Sequence, residues 1–408
     1  MGIRSLHYPG FDAVLRDYRD GCEVLPGLPT ATTYDEALYT PASRTGGDPP
    51  FRGGLFERDG RRVEAADLTR EHARLNAAEP APAESRIEGH GVYLGWSTLH
   101  YGNALLEGLS RTWVEGEHDF AVFHAPRQRI PAFLQAHLDR LGAPTAVFPS
   151  TPTRFERLTV PYPAFELNAR AFRGFLSSFP SLDRCDPRPL YVSRSRLPLD
   201  RRTVVGEDVL ERFLSGYRIV HPQTMSLAEQ VEAFSAHPRI AGTLGSALHN
   251  ILFSRSPEVV YLTNRSRHRT YMLCDDLVEA DSLYVGCCDY GGLPGLGRSG
   301  PLRLDLARAA DALGVTIDPA LQRDVDRRYR QAWAEFRLRQ GVAQRDRSVL
   351  ADVRRHYSGP LAPRLLALAR RLAAPSTPAS IRTGVETGAP RWRQVSGKLR
   401  ARVGRERQ

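Results

Sequence analysis

From Gly91 onward, short apolar runs alternate with segments whose apolar residues recur every three or four positions. The runs GVYLG, DFAVF, TAVF and RLTVP predict strands, whereas residues 99–114 and 129–142 have helical spacing. Strands that alternate with helices form parallel sheets with crossover helices. The pattern therefore predicts a Rossmann-like α/β domain over residues 91–180.

A second α/β series follows a charged segment with two prolines, LDRCDPRP at residues 182–189. The apolar runs PLYVS, GYRIV, RIAG, EVVYL and SLYVG leave room for a helix in each gap, as a doubly wound fold requires. Residues 181–300 are therefore predicted to form a second Rossmann-like domain. The expected fold class is α/β, with two such domains facing a cleft.

The flanking regions have weaker patterns. Residues 1–90 contain Pro- and Gly-rich stretches such as TPASRTGGDPPFRGG, which favour an irregular region packed on the first domain. Residues 301–373 show helical periodicity alone and predict C-terminal helices at residues 305–314, 320–340 and 349–372. Residues 374–408 lack periodic apolar positions and predict a flexible basic tail.

The composition is that of a globular protein. The chain has 408 residues, of which 41% are hydrophobic and 25% charged, and this suits two domains with sizeable cores. It has neither a run of about 18 apolar residues nor an apolar signal-peptide segment near its start, so a cytoplasmic protein is expected. The five cysteines match no zinc or disulfide pattern and are expected to be reduced.

The formal net charge of +10 belongs to the C-terminal part, where residues 351–408 hold 13 Lys and Arg against 3 Asp and Glu. No specific nucleic-acid partner is expected, because no recognised nucleic-acid-binding fold precedes the tail. Two roles for the tail stay open. Its cations around Trp392 could bind nucleic-acid phosphates unspecifically, or they could contact an anionic membrane peripherally.

In the second predicted domain, two segments carry the chemistry of an anion site. Arg194 and Arg196 follow the strand at residues 189–193, and ligands of open α/β sheets lie at that end of the strands. The turn GTLGS, with Gly245, precedes a helix predicted from residue 247, whose free N–H groups favour an anion. Two guanidinium groups and a helix start suit a diphosphate, because bidentate donors can share its several oxygens.

Three polar residues extend this site along the predicted helix. Ser246, His249 and Asn250 fall at i, i+3 and i+4, which predicts one polar face toward the diphosphate and the sugar. Plainer roles stay open for the whole set: solvated charges for the arginines, a satisfied helix histidine for His249, and a tight turn for the glycines.

Several motifs together resemble the bacterial capsular-polysaccharide branch of glycosyltransferase family 61. They are YVSRSR, the pair Gly206 and Glu207, GYRIVHP, SLAEQVEAF and GTLGSALHNILF, with HYGNALLEGLSRTWV upstream resembling the family's Gly-His-Phe-x-x-Glu helix. The resemblance spans residues 91–262. It implies a GT-B fold and an inverting, metal-independent transfer from a nucleotide sugar, here expected to be UDP-linked, to a glycan or other hydroxyl acceptor in polysaccharide biosynthesis.

The resemblance also implies where the substrates lie: the donor on residues 181–300 and the acceptor at the cleft. The chain departs from the family's pattern at Gly242-Thr-Leu-Gly-Ser, where Gly-x-His-Gly-Ala is frequent, and at Asn103, where His is frequent. Both departures bear on substrate choice and activity. A nucleotide-sugar-binding protein without catalysis is therefore the alternative function.

An inverting transferase needs a base to take the proton of the acceptor hydroxyl. His100, Asn103 and Glu107 form a polar stripe at i, i+3 and i+7 of an otherwise apolar predicted helix, and such a stripe is costly if it is buried without partners. Glu107 is the first candidate for the base, His100 the second, and Asn103 an acceptor-side residue. A structural role stays open for the two candidate bases.

Overall fold

The structure is a computed structural model that describes residues 2–182, 185–198, 203–264, 268–294, 300–344, 346, 348–357 and 367. In this part of the chain the strands are β1 (Ile3–Leu6), β2 (Glu23–Leu25), β3 (Ala31–Arg44), β4 (Phe51–Phe56), β5 (Thr69–Arg70), β6 (Ala73–Arg74), β7 (Asn76–Ala77), β8 (Ser85–Trp96), β9 (Phe120–His124), β10 (Ala146–Val147), β11 (Thr153–Pro161), β12 (Phe165–Glu166), β13 (Arg170–Phe172), β14 (Leu190–Val192), β15 (Val204–Val205), β16 (Arg218–Val220), β17 (Arg239–Thr243), β18 (Glu258–Thr263), β19 (Asp281–Gly286), β20 (Cys288–Asp289) and β21 (Leu302–Leu304).

The described helices include α-helices and short 3₁₀ helices. The α-helices are α1 (Phe11–Gly21), α2 (Tyr101–Leu106), α3 (Ala132–Arg140), α4 (Glu207–Leu210), α5 (Leu227–Ala236), α6 (Arg269–Val278), α7 (Leu306–Leu313), α8 (Leu321–Gln344) and α9 (Ser348–His356). The 3₁₀ helices are Glu64–Ala66, Arg173–Ser178, Glu211–Phe213, Pro222–Thr224 and Ser246–Phe253.

A six-stranded parallel sheet contains all the strands predicted for the second domain. Its order is β1-β19-β18-β17-β14-β16. Counted from the β16 edge, the first strand in the chain, β14, is therefore second, and β17, β18 and β19 follow it in chain order. Helices α5 and α6 pack on one face, where Leu190 and Val192 point, and α4 and α7 pack on the other, where Tyr191 points. Both faces are covered, as in a doubly wound fold.

A seven-stranded mixed sheet forms the other lobe, in the order β10-β9-β8-β11-β3-β4-β7. Strands β8 to β11 form its parallel part, whereas β3 pairs antiparallel with both β11 and β4. The N-terminal region therefore contributes long strands to this sheet.

The prediction of an irregular region over residues 1–90 is wrong. Residues 31–56 give two strands of the mixed sheet, and β1 completes the far edge of the parallel sheet, where it pairs with β19. The misleading signal was the Pro- and Gly-rich composition, and one of these prolines, Pro41, lies inside β3 at a register shift between Thr40 and Ser43. A proline is compatible with a strand at such a shift, because it interrupts the hydrogen-bond ladder there.

The first two C-terminal helices, α7 and α8, lie where the apolar pattern predicts them. The third, α9, starts one residue before its predicted position and is described to His356. A small sheet of β15, β21 and β20 joins residues on both sides of the boundary predicted at residue 300. The predicted tail, residues 374–408, lies outside the described residues.

The two lobes share one hydrophobic core. The largest cluster of buried apolar side chains includes Val92 and Leu105 from the first lobe together with Val192 and Leu248 from the second. An open cleft of the GT-B type therefore stays a prediction. None of the described helices is both long enough and apolar enough to cross a membrane.

Candidate active site

The parallel sheet has one point at which its connections diverge. From β14 the chain passes through α4 to β16 on one side, and from β16 through α5 to β17 on the other side of β14. Because α4 and α5 cover opposite faces, β14 and β17 border the switch point of the sheet, and ligands of such sheets bind in the crevice at the carboxyl ends of the strands there. Arg194 follows β14 and Gly245 follows β17.

The side chain of Arg194 lies against the backbone of Gly245. A Cβ built on Gly245 would lie 2.7 Å from Arg194 Cζ and would overlap Nη1. The glycine is required for space rather than for conformation, since its φ of −176° is extended backbone that any residue adopts. The structure thus brings together a guanidinium group and a helix start that the sequence placed 51 residues apart.

The helix after Gly245 is a 3₁₀ helix, not the predicted α-helix. With three residues per turn, Ser246 and His249 share a face, while Asn250 is rotated away by about a third of a turn. The start of α2 lies on the shared face: a Cβ built on Gly102 would lie 3.1 Å from Ser246 Oγ and 3.0 Å from His249 Cδ2. Ser246 and His249 therefore line the junction of the two lobes.

Asn250 is buried and its side chain is bound within the protein, so the structure does not favour the donor contact predicted for it, which stays a prediction. Its Oδ1 lies 2.8 Å from the hydroxyl of Tyr101, and its Nδ2 donates to Gln230 Oε1 at 2.8 Å. Tyr101 also lies 3.1 Å from Gln230 Oε1. Both polar atoms of Asn250 are thus engaged in a network that ties α2 of one lobe to α5 of the other.

His249 is a buried, neutral imidazole. Burial and, second, the nearby His100 lower its pKa to about 3. Its ring stacks on Tyr271 with centroids 4.4 Å apart, and its Nδ1 lies 3.9 Å from the thiol of Cys274. The histidine can therefore offer a hydrogen bond near neutral pH without adding charge.

The polar stripe predicted on one long helix is divided between the two ends of a short one. His100 is the exposed residue just before α2, Asn103 is half-buried within it, and Glu107 follows its last residue. Helix α2 ends at Leu106, whereas the pattern predicted a helix over residues 99–114.

Glu107 forms a buried ion pair. Arg70 donates to its two oxygens from Nε at 2.6 Å and from Nη2 at 2.7 Å, and the Glu107 side chain is only 8% exposed. Burial raises the pKa of Glu107, while Arg70 acts in the opposite direction. This geometry favours the structural alternative for Glu107.

Arg196 is exposed, and it takes no part in the contact between Arg194 and Gly245. It lies near the buried His221, whose pKa is lowered by burial and, second, by the charge of Arg196. His221 follows β16, so it too lies at the carboxyl edge of the parallel sheet. In the structure the two arginines thus occupy different positions along this edge.

Glu207, for which the sequence predicts no site role, is completely buried beneath Arg194. A signal for it existed, since this acid follows the apolar VVG and belongs to a motif quoted for the resemblance.

Among the described residues no group of three His, Cys, Asp or Glu is arranged to hold a metal ion. A cavity of about 320 Å³, lined in part by His237 and Pro238, lies at the opposite, amino end of β17.

Comparison with known proteins shows a similarity over the segment that carries this site. A family model described as Glycosyltransferase 61 matches residues 101–261, from α2 into β18. The match confirms the resemblance to this family, and it does not specify the bacterial capsular branch. No curated protein matches the chain.

Removal of the Arg70 guanidinium should destabilise the fold. In Arg70→Met the buried carboxylate of Glu107 would lose its partner, and breaking a buried pair in this way costs about 3–5 kcal/mol. The free energy of unfolding from urea titration at pH 7 measures this loss. Arg61→Met, which removes an exposed arginine from its pair with Glu57, is the matched control and should change little. Equal effects of the two substitutions would contradict a structural role for Glu107.

Removal of the Tyr101 hydroxyl should loosen the connection between the lobes. In Tyr101→Phe the buried Asn250 Oδ1 would lose its donor, at a cost of about 1–3 kcal/mol in unfolding free energy. Tyr34→Phe is the control, because the Tyr34 hydroxyl makes no hydrogen bond within the described residues. An unchanged urea midpoint for Tyr101→Phe would show that the network contributes little.

Proposed function

Because a glycosyltransferase 61 family model matches residues 101–261, we propose that the protein moves a sugar from a nucleotide diphospho-sugar to a hydroxyl of a glycan or another acceptor, with inversion. The observation that carries this proposal is the contact between the Arg194 guanidinium and Gly245 at the crevice between β14 and β17. Polysaccharide biosynthesis, a UDP-linked donor and a cytoplasmic location remain expectations from the sequence.

The departing nucleotide diphosphate needs positive charge and oriented dipoles. Arg194 supplies a permanent cation, and the backbone N–H groups at Gly245 and Ser246 start a helix whose dipole favours an anion. Ser246 and His249 lie on the adjoining face and can offer neutral hydrogen bonds to the diphosphate or the sugar. With these groups in place, the reaction can proceed without a divalent metal, and added chelator should leave the rate unchanged.

Removal of the proton from the acceptor hydroxyl is assigned to His100 rather than to Glu107. His100 is exposed and precedes α2, whose Gly102 lies against Ser246 and His249. A base must be within hydrogen-bond reach of the acceptor hydroxyl, which an exposed residue at the lobe junction permits. Glu107 has both oxygens bound by Arg70 and is the weaker candidate. Asn103, half-buried on the same helix, remains the proposed acceptor-side contact.

One observation favours the non-catalytic alternative. If the ion pair between Glu107 and Arg70 means that the first lobe has lost its base, the chain would bind a nucleotide sugar and release no nucleotide. Nucleotide release in the presence of a panel of sugar acceptors separates the two functions. Binding of nucleic acid or of membranes through the tail concerns residues outside the described part of the chain.

The donor site can be tested by binding. Thermal shift with UDP, GDP, CDP and ADP selects the tightest nucleotide, whose affinity is then measured by calorimetry. Arg194→Ala and Gly245→Ala should each weaken it at least tenfold, since a hydrogen bond to a charged group contributes about 1.5–3 kcal/mol. Gly216→Ala is the control, because a Cβ there meets open space. Unchanged affinity in both site variants would remove the basis of the proposal.

The assignment of the base can be tested by turnover. His100→Ala should slow nucleotide release at saturating donor by about 10²–10⁴-fold, the usual effect of losing a general base. His7→Ala, which alters an exposed histidine after the far edge strand β1, should not. If His100→Ala retains a rate within tenfold of the parent, His100 is not the base. Glu107→Gln in the same assay measures the competing candidate.

A further inference from the structure

One buried carboxylate connects the two strands that border the crevice. Glu207 accepts hydrogen bonds from the Tyr191 hydroxyl on β14 at 3.1 Å and from the Thr243 hydroxyl at the end of β17 at 2.7 Å. It also accepts one from the backbone N–H of Arg194 at 3.0 Å. The acid therefore fixes both strand ends and the peptide that carries the arginine.

Contacts with helix α8 fix the position of Glu207. Gly206 has a φ of 106°, a conformation that favours glycine, and a Cβ there would lie 2.8 Å from Val325 Cγ1 on α8. The next residue, Asp208, pairs with Arg328 on the same helix at 2.9 Å. Helix α8 thus holds the start of α4, and with it Glu207, against the sheet.

Burial makes the ionised form of the Glu207 carboxyl group unfavourable. Burial raises its pKa to about 7, although the hydrogen bond from Thr243 and the charge of Arg194 favour the ionised form. The titratable groups that face it are Tyr191 on β14, Arg194 after β14 and Cys288 on β20. Among these groups Arg194 is the cation.

Both protonation states can be accommodated without movement of the backbone. An ionised Glu207 accepts from the hydroxyls of Tyr191 and Thr243. A hydroxyl can donate or accept, so either one can turn and accept from a protonated carboxyl. The site therefore tolerates the gain of a proton.

A diphosphate at the crevice would change the balance between these states. It would bring negative charge close to Glu207 and would compete for the charge of Arg194. Both effects favour the neutral carboxyl.

We propose that Glu207 is a positioning residue of the donor site, which holds the main chain of Arg194 at the crevice, takes up a proton from solvent when a diphosphate binds, and returns it when the nucleotide leaves. This inference rests on the proposed function of the crevice as a donor site. It assigns to Glu207 no contact with the substrate.

The sign of the pH dependence follows from the raised pKa. In the free protein Glu207 is neutral well below pH 7 and ionised above it. Binding of a diphosphate raises the pKa further, so affinity should fall as pH rises from 6 to 8.5. A binding-induced shift of one pKa unit corresponds to about a tenfold change in affinity over this range.

Stability follows the same group in the absence of nucleotide. Since the pKa of Glu207 in the folded protein lies above its unfolded value, its contribution to the unfolding free energy is present at low pH and is lost as pH rises through about 7. Asp275, whose pKa burial also raises to about 7, contributes a similar trend. The difference between the parent protein and Glu207→Gln isolates the contribution of Glu207.

The test compares the parent protein with Glu207→Gln. Calorimetry of the tightest nucleotide diphosphate at pH 7.5, in two buffers of different ionisation enthalpy, measures protons taken up on binding. Protons taken up by the nucleotide itself are common to both proteins. The parent should take up more protons than Glu207→Gln, and its affinity should fall up to about tenfold more between pH 6 and 8.5.

A second variant keeps the proposal testable if Glu207→Gln does not fold. Thr243→Val removes one donor to the carboxylate, which raises the pKa of Glu207 and should shift the midpoint of the pH dependence upward. A purely structural role of Glu207 would lower stability without moving that midpoint.

The outcomes separate this inference from the proposed function. Equal proton uptake in the parent and Glu207→Gln, or an unmoved midpoint in Thr243→Val, overturns the role of Glu207 while nucleotide binding stands. If the parent binds no nucleotide diphosphate, the proposed function and this inference are overturned together.

Discussion

The candidate site depends on the contact between the Arg194 side chain and the backbone of Gly245, at the carboxyl end of a doubly wound sheet. Strands β14 and β17 lie side by side, but the helices next to them leave toward opposite faces, so the crevice at their ends is free of crossing chain. Arg194 can lie on Gly245 because that residue has no Cβ. Glu207 beneath them joins the two strand ends through Tyr191 and Thr243. Charge, space and strand geometry are therefore combined within a few residues.

The pattern of apolar positions predicted much of this arrangement, because strands and helices of a parallel sheet have strong local periodicity. The strands β14, β16, β17, β18 and β19, the helices α7 and α8, and the positions of Arg194 and Gly245 just after their strands follow from local sequence. Non-local information was missing elsewhere. Nothing near Glu107 indicates that its partner is Arg70, 37 residues earlier. Similarly, local spacing could not distinguish a 3₁₀ helix from an α-helix, and in the 3₁₀ helix Asn250 does not share the face of Ser246 and His249.

The junction between the lobes combines an apolar core with a polar network at its edge. Leu105 and Leu248 belong to one buried cluster, whereas Tyr101, Gln230 and Asn250 exchange hydrogen bonds beside it. Apolar contact holds surfaces together without fixing their orientation, and hydrogen bonds supply that orientation. The position of α2 relative to Ser246 and His249 is thus defined by directional contacts. Substrate geometry at the junction depends on them.

The position of β1 at the edge of the parallel sheet affects how the chain folds during synthesis and whether one lobe can be produced as a separate fragment. Residues 3–6 pair with residues 282–285 in the parallel sheet, and Asp17 on α1 pairs with Arg269 on α6, so segments far apart in the sequence meet there. During synthesis β1 emerges first, and it stays without its partner strand until residues 282–285 have been made. A fragment that starts at the second lobe would expose the backbone of β19, which invites pairing with another molecule. The lobe that carries the crevice is therefore not a separable segment of sequence.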